Sequence, residues 1–175
     1  VGLFNDWNSY QDFNGVSHVG AQLFLSPLEG WNAYFNVLSG KSAGVGGVGT
    51  VLDLTTAYQV SEKFKLGLNA ADYTISNDLG GYSGVALYPQ YAFSESLALG
   101  LRGEYFKGKD STSDGTVTEG ESVKAITLSA NIKAGQLTVI PEIRFDNSSS
   151  GSFFTENANP TRNASQFLIG AVYAF

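Results

Sequence analysis

The sequence predicts an all-β protein and, within that class, a membrane-spanning, antiparallel up-and-down β-barrel. Three observations lead to this prediction. About ten segments alternate apolar and polar residues with the two-residue period of a strand. The connections between these segments alternate between long and short. No stretch reaches the ~18 consecutive apolar residues that a membrane-spanning helix requires, so any crossing of a bilayer must use strands.

The alternating segments have about the length that crosses a bilayer. Most contain about ten residues, and at ~3.3 Å per residue with a tilt near ~40° such a strand climbs about 25 Å, the height of the apolar band of a membrane barrel. The first segment is about half that length. In order along the chain, the predicted strands are 1–5, 18–26, 31–39, 51–60, 64–73, 84–93, 97–107, 123–132, 137–146 and 166–175.

The connections place all the long loops at one end of the barrel. The short connections are 27–30, 61–63, 94–96 and 133–136, whereas 6–17, 40–50, 74–83, 108–122 and 147–165 are long. Successive connections of a meander lie at opposite ends, so strict alternation separates the two kinds. Outer-membrane barrels have short periplasmic turns and long extracellular loops, which places the carboxyl terminus of this chain in the periplasm.

Each predicted strand has an apolar face and a polar face. Alternation alone does not show which face points inward, because a secreted lipocalin-like barrel also alternates, with its apolar residues inside. The aromatic residues favour the opposite orientation, since they collect near strand ends on the apolar face, where a bilayer has its interfaces. They are Trp31, Tyr58, Phe64, Tyr91, Phe93, Tyr105, Phe145, Tyr173 and Phe175.

The polar face carries charged residues of both signs in the middle of two strands. Arg102 and Glu104 lie in one segment, and Glu142, Arg144 and Asp146 lie in another. Two interpretations stay open: these residues line a constriction and set its selectivity, or they form a salt-bridge network that fills a small barrel. Barrel size decides between them, since about eight strands leave an interior filled by side chains and about sixteen leave an aqueous channel.

Composition excludes several classes of function. The 175 residues are predicted to form one outer-membrane barrel domain, 1–175, and the formal net charge of −6 gives no electrostatic footprint for nucleic acid. Cysteine is absent and His18 is the only histidine, so neither a thiolate or histidine-based metal site nor a Ser-His-Asp triad is expected. We therefore expect no enzyme, no catalytic residue, no metal and no cofactor, and we expect His18 at the end of a loop.

Two prolines and two phenylalanines lead to local expectations. Pro89 and Pro141 fall inside predicted strands and lack the N–H that a strand donates to its neighbour, so they are expected at bulges or at local breaks in the ladder. Phe153 and Phe154 are expected to be exposed in the last long loop. Three interpretations of the pair stay open: a partial plug folded inward, a contact with a partner, or packing within the loop.

The chain ends on QFLIGAVYAF, an alternating segment with no polar tail behind it. Tyr173 and Phe175 belong to its apolar face, and an aromatic residue at the periplasmic end lies at the lipid interface. This ending resembles the C-terminal assembly signal of bacterial outer-membrane proteins, which implies recognition by the barrel assembly machinery.

Four further segments carry a resemblance to a known family: GLFNDWN (2–8), LALGLRGEYFKGKD (97–110), LTVIPEIRFDNSSSGSFF (137–154) and NASQFLIGAVYAF (163–175). They resemble the OmpL-like outer-membrane β-barrel porins, whose members are larger, and the chain is similar to their C-terminal half or to a shortened form. The resemblance implies a location in the bacterial outer membrane. Three accounts of the short first strand stay open: a fragment of a larger barrel, a strand completed by preceding residues, or a ten-stranded version.

Together these inferences predict a porin-like channel for the passive diffusion of small polar solutes, with the charged residues setting selectivity. The alternative is an occluded structural or interaction barrel whose long extracellular loops contact partners or other components of an envelope complex. A soluble lipocalin-like binder is a third interpretation. The expected partners are outer-membrane lipids, the barrel assembly machinery and small polar solutes, with a homo-oligomer or an envelope protein as further options.

Overall fold

Strands joined by turns and loops make up the protein. The computed structural model describes residues 1–6, 11 and 13–175, so 7–10 and 12, which belong to the first predicted long loop, lie outside the described residues, as does the end of the GLFNDWN motif. The described residues contain no helix long and apolar enough to span a membrane. The strands are β1 Gly2–Phe4, β2 His18–Leu25, β3 Trp31–Gly40, β4 Gly49–Gln59, β5 Phe64–Ile75, β6 Gly81–Ser94, β7 Leu97–Gly108, β8 Ser111–Ser113, β9 Thr116–Thr118, β10 Ser122–Ala134, β11 Leu137–Ser148, β12 Phe153–Phe154, β13 Pro160–Thr161 and β14 Asn163–Tyr173.

Ten of these strands form one antiparallel sheet that follows the order of the chain. The order is β1-β2-β3-β4-β5-β6-β7-β10-β11-β14, and no pairing of β1 with β14 is present among the described residues. β8 pairs with β9, and β12 pairs with β13, as two small hairpins within the last two long loops. The all-β, antiparallel up-and-down architecture predicted from the sequence is confirmed, with ten strands of a barrel wall.

The strands of the large sheet extend further into the long loops than the apolar pattern predicted. β6 begins at Gly81 rather than at residue 84, and β14 begins at Asn163 rather than at residue 166. Backbone pairing continues between polar residues, as Asn147 with Asn163 shows, because a ladder does not need apolar side chains. At the other end β14 stops at Tyr173, so the prediction of a last strand running to Phe175 was wrong by its final residues.

The two strand prolines interrupt ladders without shifting their register. The β10–β11 ladder skips Pro141, and the β6–β7 ladder skips Pro89, yet the pairs on either side keep the same register. A missing N–H explains the interruption. The register shift between β6 and β7 lies instead between Ala92 and Ser94, next to the short turn. Of the two predicted outcomes for these prolines, the local break is therefore the one found.

The large sheet exposes its apolar face and half-buries its polar face. In β7, Leu99 and Leu101 are exposed, whereas Gly100 and Arg102 are half-buried. Residues directly opposite each other in a ladder share a face, so the register extends this division across the sheet; Leu101, for example, lies opposite the exposed Leu128. We call the exposed apolar side the outer face and the half-buried polar side the inner face. An exposed apolar surface of this extent is one that a bilayer covers.

Aromatic rings lie on the outer face at the end with the short turns. Trp31 and Tyr58 lie opposite each other, with ring centroids 5.9 Å apart, and Trp31 Nε1 donates a hydrogen bond of 2.8 Å to Thr56 Oγ1. Tyr91 and Phe93 meet edge to face at 4.9 Å. Tryptophan and tyrosine rings, which have an apolar body and a polar atom, suit the boundary between lipid and water, so this band marks one interface of the membrane.

Candidate functional site

The charged residues predicted as a site lie on the inner face of β7, β10 and β11. The register places Arg102 and Arg144 in one row, on either side of Thr127. Glu104 and Asp146 occupy the next row, on either side of an alanine of β10. Because β10 presents only small side chains here, the long side chains of β7 and β11 meet across it.

Four of these side chains form a continuous set of ion pairs, which we call the charged row: Arg102, Glu104, Arg144 and Asp146. Glu104 Oε2 lies 3.1 Å from Arg102 Nε and also accepts a hydrogen bond from Arg144 Nη1. Arg144 Nη2 lies 2.8 Å from Asp146 Oδ1. The Arg102 contact is an ion pair without hydrogen-bond alignment, since its buried Nε has no hydrogen-bond partner within the described residues. The side chains stay between 14% and 35% exposed, so each can still meet solute or water.

Arg144 is the central residue of the charged row because it binds two carboxylates. Its Nε donates to both oxygens of Asp146 at 3.0 Å, and its Nη1 lies 3.4 Å from Thr127 Oγ1. Thr127 is only 3% exposed and lies beneath the bridge between Arg144 and Glu104. A planar guanidinium held by several partners has a fixed orientation. The row is therefore a preorganised strip of alternating charge.

Glu142, the fifth predicted residue, lies apart from these ion pairs. It is on the same inner face, directly opposite Ser129. With Arg102, Lys65 and Asn131 it lines a hollow of about 370 Å³. The structure thus brings all five predicted residues to one face and joins four of them.

A second polar row crosses the inner face of β2, β3, β4 and β5, and the sequence analysis missed it. We call it the amide row: Gln22, Asn36, Asp53 and Asn69. Gln22 Nε2 donates to Asn36 Oδ1, Asn36 Nδ2 donates to Asp53 Oδ1, and Asn69 Nδ2 donates to Asp53 Oδ2, each at 2.7 Å. The four residues are far apart in sequence, and only the register aligns them. A Gln, Asn or Asp at the middle of each of four consecutive strands was the signal that could have found them.

A larger hollow, of about 570 Å³, lies on the outer face. Leu23, Phe35 and Leu54 contribute to its lining. Its surface is mostly apolar, although Asp72 and three residues of the amide row border it, and its leucine and phenylalanine side chains belong to the face that meets lipid. The inner face, despite its smaller hollows, is the candidate site.

The side chains that could bind a metal or act in catalysis are not grouped in the described structure. Within the part of the chain that the structure describes, no three His, Cys, Asp or Glu side chains are grouped to hold a metal ion. His18 begins β2, at the loop end where it was predicted, and is 3% exposed. Its Nδ1 lies 2.8 Å from Ser17 Oγ. This contact is local to the loop and gives His18 a structural role.

The predicted assembly-signal residues lie at the end with the short turns. Tyr173 Oη donates a hydrogen bond of 2.6 Å to Gln136 Oε1, in the short turn between β10 and β11. Tyr173 is 60% exposed, and Phe175, beyond the end of β14, is fully exposed. Both rings are thus accessible, and their role in assembly stays a prediction.

The start of the last long loop is organised around Ser148, which is 1% exposed. Its Oγ accepts hydrogen bonds from the backbone N–H groups of Ser150 and Gly151 at 3.1 and 3.0 Å, and it donates one to Glu121 Oε1. Ser152 Oγ donates to the same carboxylate oxygen. The hydrogen bonds from Ser148 and Ser152 hold the pKa of Glu121 below its usual range. Two neighbouring long loops are therefore tied together through one carboxylate.

The fold and the two faces define a class of protein: an outer-membrane β-barrel, with an apolar face toward lipid and a polar face toward the interior. The chain belongs to the family described as "Putative beta-barrel porin-2, OmpL-like", whose model matches residues 1–175. It is a porin-like protein of the bacterial outer membrane.

A solved structure supports the same architecture. The chain is similar to OmpT (in-vitro folded), an outer membrane protein of Vibrio cholerae, with a TM-score of 0.59 and 13% sequence identity. The similarity covers 89% of this chain and 55% of that chain, so this chain spans about half the length of that protein. At this identity the likeness shows the fold. No curated protein gives a significant sequence match to this chain.

Proposed function

We propose that the protein is a porin-like channel for the passive diffusion of small polar solutes and that it carries out no enzymatic reaction. The observation that carries this proposal is the contrast between the two faces. The inner face holds the charged row and the amide row, two hydrogen-bonded polar strips, behind an outer face that is apolar. A pathway for polar solutes through a membrane requires polar side chains along its water-filled interior, which these two strips would supply.

The charged row would give this pathway its ion preference. Three carboxylates, Glu104, Glu142 and Asp146, face two guanidinium groups, Arg102 and Arg144. Opposite charges held side by side create a field across the water column rather than a uniform potential. We therefore expect weak cation preference and passage of neutral polar solutes.

Single-channel recording in planar lipid bilayers tests the proposal. Purified protein should produce discrete conductance steps in KCl solution, whereas protein unfolded by heating before addition should produce none. Folded protein that inserts into the bilayer but gives no steps would refute the channel.

A second candidate function is an occluded barrel that acts through its long loops. Two features favour it: the loops contain the ordered hairpins β8–β9 and β12–β13, and Val117 and Phe154 in those hairpins are 62% and 69% exposed. Exposed apolar side chains on ordered hairpins suit a protein contact. This candidate predicts insertion without conductance steps, so the same recording separates the two.

We infer three sets of partners from the same surfaces. Outer-membrane lipid covers the outer face, small polar solutes meet the inner face, and the barrel assembly machinery binds the end that carries Tyr173 and Phe175. A second copy or another envelope protein is a further partner for the loops, and nucleic acid is not expected.

Phe175→Ala should lower the amount of folded protein that reaches the outer membrane. This amount is measured as the band with heat-modifiable mobility on SDS gels. An unchanged amount would remove Phe175 from the assembly signal.

A further inference from the structure

A small aromatic hollow lies on the inner face between the charged row and the amide row. Its volume is about 200 Å³. Alanine and glycine form its floor, since Ala71 lies directly opposite Gly84 and the next inner-face residue of β6 is Ala86. These small residues leave the backbone of β5 and β6 uncovered between larger neighbours. The hollow is lined on its inner side by Asn69, Ala71, Tyr82, Gly84, Ala86, Tyr88, Glu104 and Phe106.

The aromatic walls of the hollow are held in place by one another. The rings of Tyr82 and Phe106 stack with centroids 5.6 Å apart and an interplanar angle of 29°. Tyr73 supports Tyr82 from the next strand, with centroids 5.4 Å apart. Phe106 is nevertheless 44% exposed and Tyr88 38% exposed, so ring surface remains free toward the interior. Tyr82 and Phe106 thus hold each other in place, and the rings of Phe106 and Tyr88 present free surface to the interior.

Two hydrogen-bond acceptors lie beside these rings. The hydrogen bonds that Asn69 makes to Asp53, Thr55 and the Leu54 carbonyl all use its Nδ2, so its Oδ1 is available as an acceptor. Glu104 binds both arginines of the charged row through Oε2, which leaves Oε1 as a second acceptor. Because Glu104 is paired with both guanidinium groups of the charged row, its own charge is largely balanced, and it meets the hollow chiefly as a hydrogen-bond acceptor.

We propose that this hollow binds one ring of a neutral saccharide, and that saccharides are therefore among the solutes that pass; the inference rests on the channel function proposed above. A pyranose ring has an apolar C–H face, which packs on aromatic rings, and hydroxyl groups at its edge, which donate to Asn69 Oδ1 and Glu104 Oε1. Sites for drug-sized ligands measure roughly 300–1,000 Å³, so a hollow of about 200 Å³ suits a single ring of a longer chain.

Filling the floor of the hollow is the sharpest test, and Gly84 allows it. A Cβ at Gly84 would lie 3.6 Å from Phe106 Cδ2 and 3.5 Å from the Tyr105 carbonyl oxygen, which is ordinary contact. Gly84→Val is therefore compatible with the backbone and places two methyl groups where the sugar ring would lie. Gly103→Val is the matched control, because residue 103 is on the outer face of β7 and a Cβ there has no neighbour within 4 Å.

Binding is measured by saturation-transfer NMR on detergent-solubilised protein, with maltohexaose and cellohexaose as probes. Wild type and Gly103→Val should bind at least one probe, Gly84→Val should lose that binding, and Phe106→Ala should bind it about threefold to tenfold more weakly. Heat-modifiable mobility on gels confirms that each variant is folded. Absence of binding by folded wild type, or equal binding by Gly84→Val and Gly103→Val, overturns the saccharide site.

Conductance recordings on the same preparations separate this inference from the function on which it rests. If wild type conducts but binds neither probe, the saccharide site is wrong and the channel stands. If wild type binds a probe at the hollow but does not conduct, the saccharide site is retained and the proposed channel function is wrong.

Discussion

The side chain of Arg144 contacts polar side chains on three strands. From β11 it reaches Glu104 on β7, Asp146 on its own strand and Thr127 on β10 between them. An arginine can serve three partners at once because its planar guanidinium presents several donors in a fixed fork, which a lysine does not. Arg102 is less connected, since Glu104 is its one ion-pair partner in the described part of the chain.

This difference predicts the effect of removing each arginine. Arg144→Ala leaves two carboxylates without their shared counter-charge, so the cation-to-anion permeability ratio should rise on the order of twofold to fivefold, as a partly screened charge contributes up to about 1 kcal/mol. Arg102→Ala should raise it less. Lys124→Ala, which removes the same charge from the outer face, is the control and should leave the ratio unchanged. Reversal potentials under a KCl gradient measure the ratio, and identical values for wild type and Arg144→Ala would exclude this row from the pathway.

Glu121 makes the last long loop sensitive to acid. Its pKa is held below the usual value of 4.5 by hydrogen bonds from Ser148 and Ser152, so the ionised carboxylate is the form that ties the loops. A depressed folded-state pKa contributes stability above the usual value, and that contribution is lost as the pH falls through the folded value. The two loops should therefore separate as the pH falls through this lowered pKa, below the usual range of a glutamate.

A nitroxide at Asn157→Cys, in the same loop, reports this separation, and the chain has no other cysteine. Its motion by EPR should be restricted at pH 7 and should become freer in an acid titration that runs below the usual range of a glutamate. Combined with Glu121→Ala, the label should move freely throughout the titration. Motion that does not change with pH in the protein with intact Glu121 would show that the carboxylate does not hold the loop.

At the scale of elements, the start of β6 depends on a residue without a side chain. Gly81 has a φ of 139°, and a Cβ there would lie 2.1 Å from the Tyr73 carbonyl oxygen of β5. Gly81→Ala should therefore destabilise the folded barrel by about 1–3 kcal/mol. Gly103→Ala, where a Cβ meets nothing within 4 Å, should change stability by less than about 0.5 kcal/mol. The urea midpoint for unfolding in lipid vesicles measures both, and equal midpoints would contradict the predicted clash.

The strands and turns could be predicted from the sequence because each is encoded locally. Period-two alternation marks the strands, and short connections such as 27–30 fix which end of the sheet holds the turns. The amide row could not be predicted in the same way, since Gln22 and Asn69 belong together only through a register that spans four strands. The hairpins β8–β9 and β12–β13 were missed because their strands of two or three residues are too short to show a period.

At the scale of the whole molecule, the two faces of the sheet exclude a lipocalin-like arrangement. Such a barrel would bury its leucines and isoleucines inside, whereas Leu128 and Ile126 on β10 are 50% and 49% exposed and Thr127 between them is buried. The same contrast, repeated from strand to strand by the register, gives the wall one side suited to lipid and one suited to water. The porin-like family and the outer-membrane neighbour agree with this orientation.

Site-directed spin labelling across β7 in lipid vesicles tests this orientation most directly. Single cysteines replace Ala98, Leu99, Gly100 and Leu101 in turn, and each nitroxide is exposed to oxygen, which concentrates in lipid, and to a water-soluble nickel chelate. Labels at 99 and 101 should collide mainly with oxygen, and labels at 98 and 100 mainly with the chelate. The reverse alternation, or equal access to the chelate at all four positions, would contradict an apolar face that meets lipid and a polar face that lines the interior.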